Sequence, residues 1–285
     1  MKKNILYCVL WVTVVTGCLA EEGLTPSVET INQKDRYGET YLMNLARDGR
    51  VEQIREALAN GADVTVRNRY NLDAIIYAAM NEQEEAVALL HDSGAKTDEI
   101  DLSYVLKWGS QRAAEQLVDL GCNPDYEGQT ETAPLLCTIS LGNKTLFEKL
   151  VKTGANLDVK NSEGSMPLHL AIQADSDDKI RFLIEAGCDV NAPTASGHVP
   201  LHLAADARNL SLMQQLIESG ADVDAKDGNN ATSAFRAALF GDIQMMKLLI
   251  ENNADLSIES TWGTPLQQAE KRNNKEMIQL IGYGN

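Results

Sequence analysis

The sequence predicts an all-α solenoid of helix-turn-helix units joined by β-turn fingers. Three observations predict it. The phrase GHVPLHLAA at residues 197–205 is echoed 33 residues upstream as GSMPLHLAI at 164–172. Gly61, Gly94, Gly154, Gly187 and Gly220 each end an apolar run and are followed by Ala or Cys, and Asn253 before Ala254 continues the series. The steps are 33 residues, except that Gly121 lies 27 after Gly94 and 33 before Gly154. Finally, 44% hydrophobic residues with only 5% aromatics suit helices packed through Ala and Leu. A fixed period of this length marks a stacked array, in which each unit buries its apolar faces only against its neighbours.

The chain begins with a leader. Lys2 and Lys3 precede an apolar run from Ile5 to Val15, and small residues follow. Eleven apolar positions are too few to cross a bilayer as a helix, and the order is that of a signal peptide over residues 1–17. Val15-Thr16-Gly17-Cys18 resembles a bacterial lipobox, with Val15 where the strongest form carries Leu. The resemblance implies lipidation of Cys18 and, with Leu19 rather than Asp next, an outer-membrane destination. Ordinary cleavage after Ala20 is the alternative. Residues 18–34 are polar, carry Pro26, and read as a tether able to reach on the order of 50 Å. Val28 and Ile31 offer another ending, a helical turn capping the array.

The repeat domain is expected over residues 35–285. Asp35-Arg36-Tyr37-Gly38 is a turn signature. A first helix over Tyr41–Asp48 is broken by Gly49; a second over Val51–Ala59 carries an apolar stripe of Val51, Ile54, Ala57 and Leu58 and ends before Gly61. The second repeat, Asn68–Thr97, keeps Ala78-Ala79 and Leu89-Leu90. The third lacks six residues before Ile100–Trp108, leaving no room for a normal finger, and this is expected to kink the array between Gly94 and Gly121 and split its groove into two segments. Its second helix is placed at Arg112–Leu120. The fourth, Gly128–Val159, regains Pro134-Leu135; the fifth and sixth, from Asn161 and Thr194, carry the full phrase. In the seventh, Ser233-Ala234-Phe235 replaces Pro-Leu-His. The eighth begins Gly263-Thr264-Pro265-Leu266, and Lys271, Arg272, Lys275 and Glu276 are assigned to a second helix with a capping outer face.

This pattern resembles the ankyrin repeat, whose phrase runs D-x-x-G-x-T-P-L-H-x-A-A and closes L-L-x-x-G-A-D-V-N. The match is fullest at Gly164–Asn191 and Gly197–Asp224 and extends from Asp35 to Ile281. It implies about eight repeats, the third shortened and the eighth a cap. It also implies structural roles for His169 and His202, whose imidazoles would hydrogen-bond neighbouring loops. His91 and His198 are placed at the surface.

Chemistry for catalysis does not assemble. No phosphate loop, nucleophile elbow, zinc-protease helix or calcium loop occurs, and neither repeat histidine has a second ligand at helical spacing. No enzyme, cofactor or metal is expected. The pairs Asp177-Asp178 and Glu84-Glu85 fall at helix starts, where they complement the dipole. Asp63, Asp189 and Asp222 recur in one register, which argues for turn chemistry. Asn143, Asn209 and Asn230 begin N-x-S/T triplets at a frequency that chance supplies. Cys122, Cys137 and Cys188 read as small buried residues rather than a disulfide framework, although Cys122 and Cys137, in adjacent repeats, are near enough to leave a bridge open. The net charge of −16 works against nucleic acid or an anionic membrane surface as partner.

Function is therefore expected at the surface, with a protein partner. The residue before the inter-helix turn is Asp48, Asn81, Trp108, Leu141, Ala174, Ala207 and Phe240 in successive repeats. Trp108, Leu141 and Phe240 are large for such a place, and interface hot spots favour large anchors. In the competing reading Trp108 fills the gap of the missing finger and Phe240 tucks under its neighbour. Finger tips supply a second set: Arg36-Tyr37 and Arg69-Tyr70 in equivalent places, and Trp262 near the last tip. Such pairs suit an extended peptide or an acidic partner, and ordinary amphipathic turn residues are the competing reading. The function expected is an envelope scaffold or adaptor, membrane-held through Cys18, with a secreted effector or enzyme inhibitor as the alternative.

Overall fold

The computed structural model describes residue 27, residues 30–128 and residues 130–283; the leader and the Cys18 lipidation site lie outside them. Among the described residues there are sixteen helices, paired as short first and longer second helices. In order they are α1 (Tyr41–Arg47) and α2 (Val51–Ala59), α3 (Ala74–Met80) and α4 (Glu84–Asp92), α5 (Leu102–Trp108) and α6 (Gln111–Asp119), α7 (Pro134–Ser140) and α8 (Lys144–Lys152). The series continues with α9 (Pro167–Gln173) and α10 (Asp177–Glu185), α11 (Pro200–Asp206) and α12 (Leu210–Glu218), α13 (Ser233–Phe240) and α14 (Ile243–Glu251), α15 (Pro265–Lys271) and α16 (Lys275–Tyr283). Two boundaries are corrected. Lys271 ends α15 and Arg272 caps it, so only Lys275 and Glu276 of the four expected polar residues lie on the last helix. The second helix of the third repeat begins at Gln111, because Ser110 supplies its cap through a 3.1 Å bond from the Ala113 N–H.

Contacts divide the chain into two compact units, and the division passes through the third repeat. One unit runs to Ile100 and takes in Lys107–Gly121; the other comprises Asp101–Leu106 and Cys122 onward.

In the first unit, Thr40 and Asp73 cap α1 and α3 by accepting the N–H of Met43 and Ile76. Those bonds satisfy donors that a helix start leaves unpaired. Leu42, Met43, Ile54, Ile75, Val87, Leu90 and Leu117 are buried and form the core. Of the stripe on α2, Ile54 and Ala57 are buried, while Val51 and Leu58 are half-buried at its margins. Ile31 is fully buried, and Asn32 donates to the Gly61 carbonyl at 3.0 Å and accepts the Asp63 N–H at 2.8 Å. The end of the tether thus packs on the first repeat; Val28 lies outside the described residues. Between Thr97 and Asp101 there is a single turn, closed by Ile100 N–H to Thr97 O at 3.3 Å, and no finger.

In the second unit Pro134, Pro167, Pro200 and Pro265 stand at the first turn of their helices, where a missing N–H costs nothing. Thr232 and Thr264 cap α13 and α15 through the N–H groups of Phe235 and Gln267. Finger backbones bond directly: Ala195 N–H to Glu163 O at 3.2 Å, Gly228 N–H to Ser196 O at 3.0 Å, Thr261 N–H to Asn229 O at 3.0 Å.

The repeated glycines serve two different needs. Gly220 has φ +92° and open space where a Cβ would stand, so conformation alone selects it. Gly197 has φ +80°, and a Cβ there would come within 2.7 Å of the Gly228 nitrogen. Gly220→Ala is expected to cost about 1 kcal/mol, the left-handed penalty. Gly197→Ala should cost about 2 kcal/mol or more, because the fingers must also part. Paired thermal melts check this; equal losses would mean that finger contact at Gly197 contributes nothing.

Candidate functional site

All seven positions of the inter-helix register, Asp48, Asn81, Trp108, Leu141, Ala174, Ala207 and Phe240, are exposed. The geometry explains why. The register closes the first helix of each repeat, as its last residue or its C-cap, and except at Trp108 a left-handed residue follows at once and turns the chain. Among the described residues the exposed large hydrophobic side chains are Tyr37, Tyr70, Trp108, Leu141, Leu210, Phe240 and Trp262, keeping 37–61% of their surface in solvent. All but Leu210 are residues that the sequence pattern marks.

Each unit carries its own set. In the first, Tyr37 and Tyr70 stand on the first two finger tips, and Trp108 ends α5 with the Lys107 ammonium 5.3 Å from its ring centroid. Trp108 is 55% exposed and so does not fill the gap left by the missing finger. In the second, Leu141 and Phe240 end first helices, and Trp262 stacks one face on Phe235 at 5.9 Å and 26° while staying half in solvent. Phe235 occupies the register of His169 and His202, so the last finger is held by an aromatic stack in place of an imidazole bond. Leu210, at the start of α12, carries no mark in the sequence; nothing in its spacing separates it from a buried helix start.

The two repeat histidines are structural. His202 accepts the Val199 N–H on Nδ1 at 3.2 Å, leaving Nε2–H to donate to the Ala225 carbonyl at 2.9 Å. His169 likewise accepts the Met166 N–H, though its Nε2 reaches no partner within bonding geometry. Burial lowers both pKa values, that of His202 to about 4, with Arg236 adding repulsion. His198 is not a free surface residue as expected. It is half-buried, with Nδ1 2.7 Å from Ser196 Oγ and Nε2 3.8 Å from Asp227 Oδ2. His91 is partly exposed beside Asp92.

Several charged residues that carry no signal in the sequence are buried. Arg236 donates to Asp206 at 2.9 Å, to Asp227 at 2.7 Å and to the Ala231 carbonyl at 3.3 Å. Lys179 reaches back 40 residues to the Thr138 and Ile139 carbonyls at the end of α7, each at 3.2 Å, with its ammonium 5.7 Å from the Phe147 ring centroid. A cation at a helix C-terminus is favourable there, and burial lowers its pKa. In the first unit, Arg67 crosses an open cleft of about 290 Å³ and pairs with Glu99 at 3.0 Å and Asp73 at 3.6 Å. Burial pushes the Asp73 carboxyl up to about 6.

The acidic turn residues act as turns. Asp63, Asp189 and Asp222 each accept the N–H two residues on, at 2.8–2.9 Å. Asn143 and Asn209 cap α8 and α12, which accounts for their place before Leu-rich helices without glycosylation. Asp177, Asp178, Glu84 and Glu85 occupy first helical turns. Cys122 is buried and burial raises its thiol to about 12, whereas Cys137 and Cys188 are half-buried rather than buried as expected; none of the three is in a disulfide. The open bridge between Cys122 and Cys137 is not formed. Among the described residues no three His, Cys, Asp or Glu side chains gather as a metal site.

The fold and its surface therefore define a helical repeat protein whose exposed apolar residues lie at turns and tips. Models of ankyrin repeats match residues 42–91, 102–194 and 201–284. The chain belongs to the ankyrin repeat family, whose repeats generally mediate protein–protein interaction and are typically non-enzymatic. No curated protein matches it.

A pH dependence follows from His202. Its folded pKa of about 4 lies below the ordinary value of 6.5, so the neutral ring is the folded form. Its contribution is whole above pH 6.5 and is lost as pH falls towards 4, amounting to about 3 kcal/mol. Asp73 works in the opposite sense over a similar range, so the difference between proteins is the quantity to measure. Gln267 already accepts the Thr264 N–H in this register of the last repeat. His202→Gln should therefore fold and show a flatter acid limb between pH 6.5 and 4 in urea titrations. An identical limb in both proteins would remove His202 from the account.

Proposed function

We propose that this chain is a non-catalytic adaptor of the bacterial cell envelope, held to a membrane by lipid on Cys18 and receiving a protein partner on its exposed apolar residues. One observation carries the binding half of the reading. A register that is solvent-facing in every repeat holds Trp108, Leu141 and Phe240 where its other positions hold Asp, Asn or Ala. Leaving 37–61% of such side chains in water forgoes about half of the roughly 1.5–3 kcal/mol that full burial supplies, and a partner restores it. The envelope half rests on the order of Lys2-Lys3, the apolar run and Val15-Thr16-Gly17-Cys18.

Crosslinking in the native cell, with capture and mass spectrometry of both partner and bait, tests both halves. The expected bait mass includes diacylglycerol on Cys18, and the expected partner is an envelope protein. Trp108→Ala with Phe240→Ala should lower its recovery at least tenfold while helicity is kept. Undiminished capture by the double variant would overturn the binding surface, and a bait beginning at Glu21 without lipid would overturn the anchor.

A further inference from the structure

Within the first unit, the geometry points to the edge formed by the first two fingers as a docking strip for an extended acidic peptide, one carrying a carboxylate at every third residue. The inference rests on the adaptor reading and names the partner chemistry of one of its surfaces.

Four observations carry it. Arg36, Tyr37, Arg69 and Tyr70 are all exposed, and the two tips interlock. A Cβ at Gly38 would meet Arg69 N at 3.2 Å and Arg69 Cγ at 3.3 Å, so the stem of Arg69 lies across the first tip. The Arg36 guanidinium lies 4.8 Å from the Tyr37 ring centroid. That stacking covers the ring face a partner's cation would seek and holds the N–H edge ready for a carboxylate.

Nearby carboxylates are already engaged. Asp35 Oδ1 accepts the N–H of Tyr37 and of Glu39, both at 2.8 Å. Glu39 takes the Tyr77 hydroxyl and pairs with Arg47 at 3.4 Å. In the second finger the equivalent of Asp35 is Asn68, which carries no charge and accepts Tyr70 N–H at 2.8 Å. Neither Arg36 nor Arg69 forms an ion pair among the described residues.

The charge of the chain is distributed accordingly. Residues 18–70 hold seven Lys or Arg and nine Asp or Glu, close to balance, whereas residues 71–285 hold 16 Lys or Arg against 32 Asp or Glu. An acidic partner is repelled elsewhere and accepted at these tips. Stacked repeats stand about 10 Å apart. A peptide in the polyproline II conformation advances about 9 Å per three-residue turn and returns a side chain to the same face, which places Glu-x-x-Glu on the two guanidinium groups. A linear strip of two stacked tips matches a peptide better than a flat anionic bilayer, which the remaining charge opposes.

The test is fluorescence anisotropy with the full chain and a labelled peptide bearing Glu at every third position. Binding is expected, weakening as salt rises. Arg36→Gln and Arg69→Gln should each weaken it roughly tenfold with unchanged melting curves, and the paired Lys variants should recover only part. A peptide with Lys in place of Glu should not bind. Absent binding, equal binding of the Lys peptide, indifference to both Gln variants, or preferential binding to phosphatidylglycerol vesicles would each overturn the inference. If the acidic peptide fails while Trp108→Ala with Phe240→Ala still releases the crosslinked partner, this inference falls and the adaptor reading stands.

Discussion

A single repeat of this protein cannot satisfy its own loop, and the fold depends on the bond by which its neighbour does so. The loops following α6, α10 and α12 carry a side chain that reaches into the next repeat. Asn191 donates to the Gly220 carbonyl at 2.9 Å and accepts the Asp222 N–H at 2.7 Å. Asp125 accepts from Asn156 and Asp224 from Asp255, both at 2.8 Å, and Asn32 performs the same service for the first repeat. Each of these bonds to a loop N–H spans 31 residues, and that span is what a fixed period enforces. Change the period and the donor is no longer opposite its acceptor. These loops are exposed, so each such bond contributes only about 0.5–1.5 kcal/mol, and it is their recurrence in one register that disfavours slipped alternatives.

Local features of this scheme were legible in the sequence. Gly220 and its equivalents announce a left-handed turn, Pro200 a first helical turn, and Asp222 a loop that folds on its own backbone. Each signal lies within a few residues of the structure it causes. The charged interior was not legible. Lys179 meets carbonyls 40 residues away, and Arg236 meets an aspartate 30 residues away. In the sequence both look like ordinary polar positions of amphipathic helices. His198 escaped for the same reason, because its burial comes from the finger that follows it. The same limit hid Leu210 and set the half-exposure of Cys137 and Cys188, since a solvent boundary is a property of neighbours.

The candidate surface was more readable than these interior charges, through contrast rather than motif. Repetition supplies an internal control that a globular domain lacks. Where seven equivalent positions include Asp, Asn and Ala, a Trp or Phe stands out from the spacing alone. The fold then adds what contrast cannot, namely whether the odd residue is covered. Phe235 is the instructive counter-case. It departs from the histidine register as plainly as Trp108 departs from its own, yet it is buried and holds Trp262 by stacking. Departure from the repeat marks a changed environment; exposure decides whether that environment is internal.

The buried histidines show how the frame and the surface stay separable. Their bonds fix the fingers from beneath, through Nδ1 to the repeat's own backbone and, at His202, through Nε2 to the loop beyond. Tip residues consequently need not hold the loop in place. In the first two fingers, which carry no such histidine, Asp35 and Asn68 hold the loop by accepting its backbone N–H groups, and Arg36, Tyr37, Arg69 and Tyr70 are left exposed. The same division explains why residues 71–285 tolerate so much negative charge. Part of it sits in turns, where carboxylates such as Asp189, Asp222 and Asp255 are already bonded to backbone N–H groups, or at helix starts such as Glu84-Glu85 and Asp177-Asp178, where the dipole offsets it. A scaffold stabilised in this way leaves its finger edge and inter-helix register free to specify a partner by charge and by apolar bulk independently.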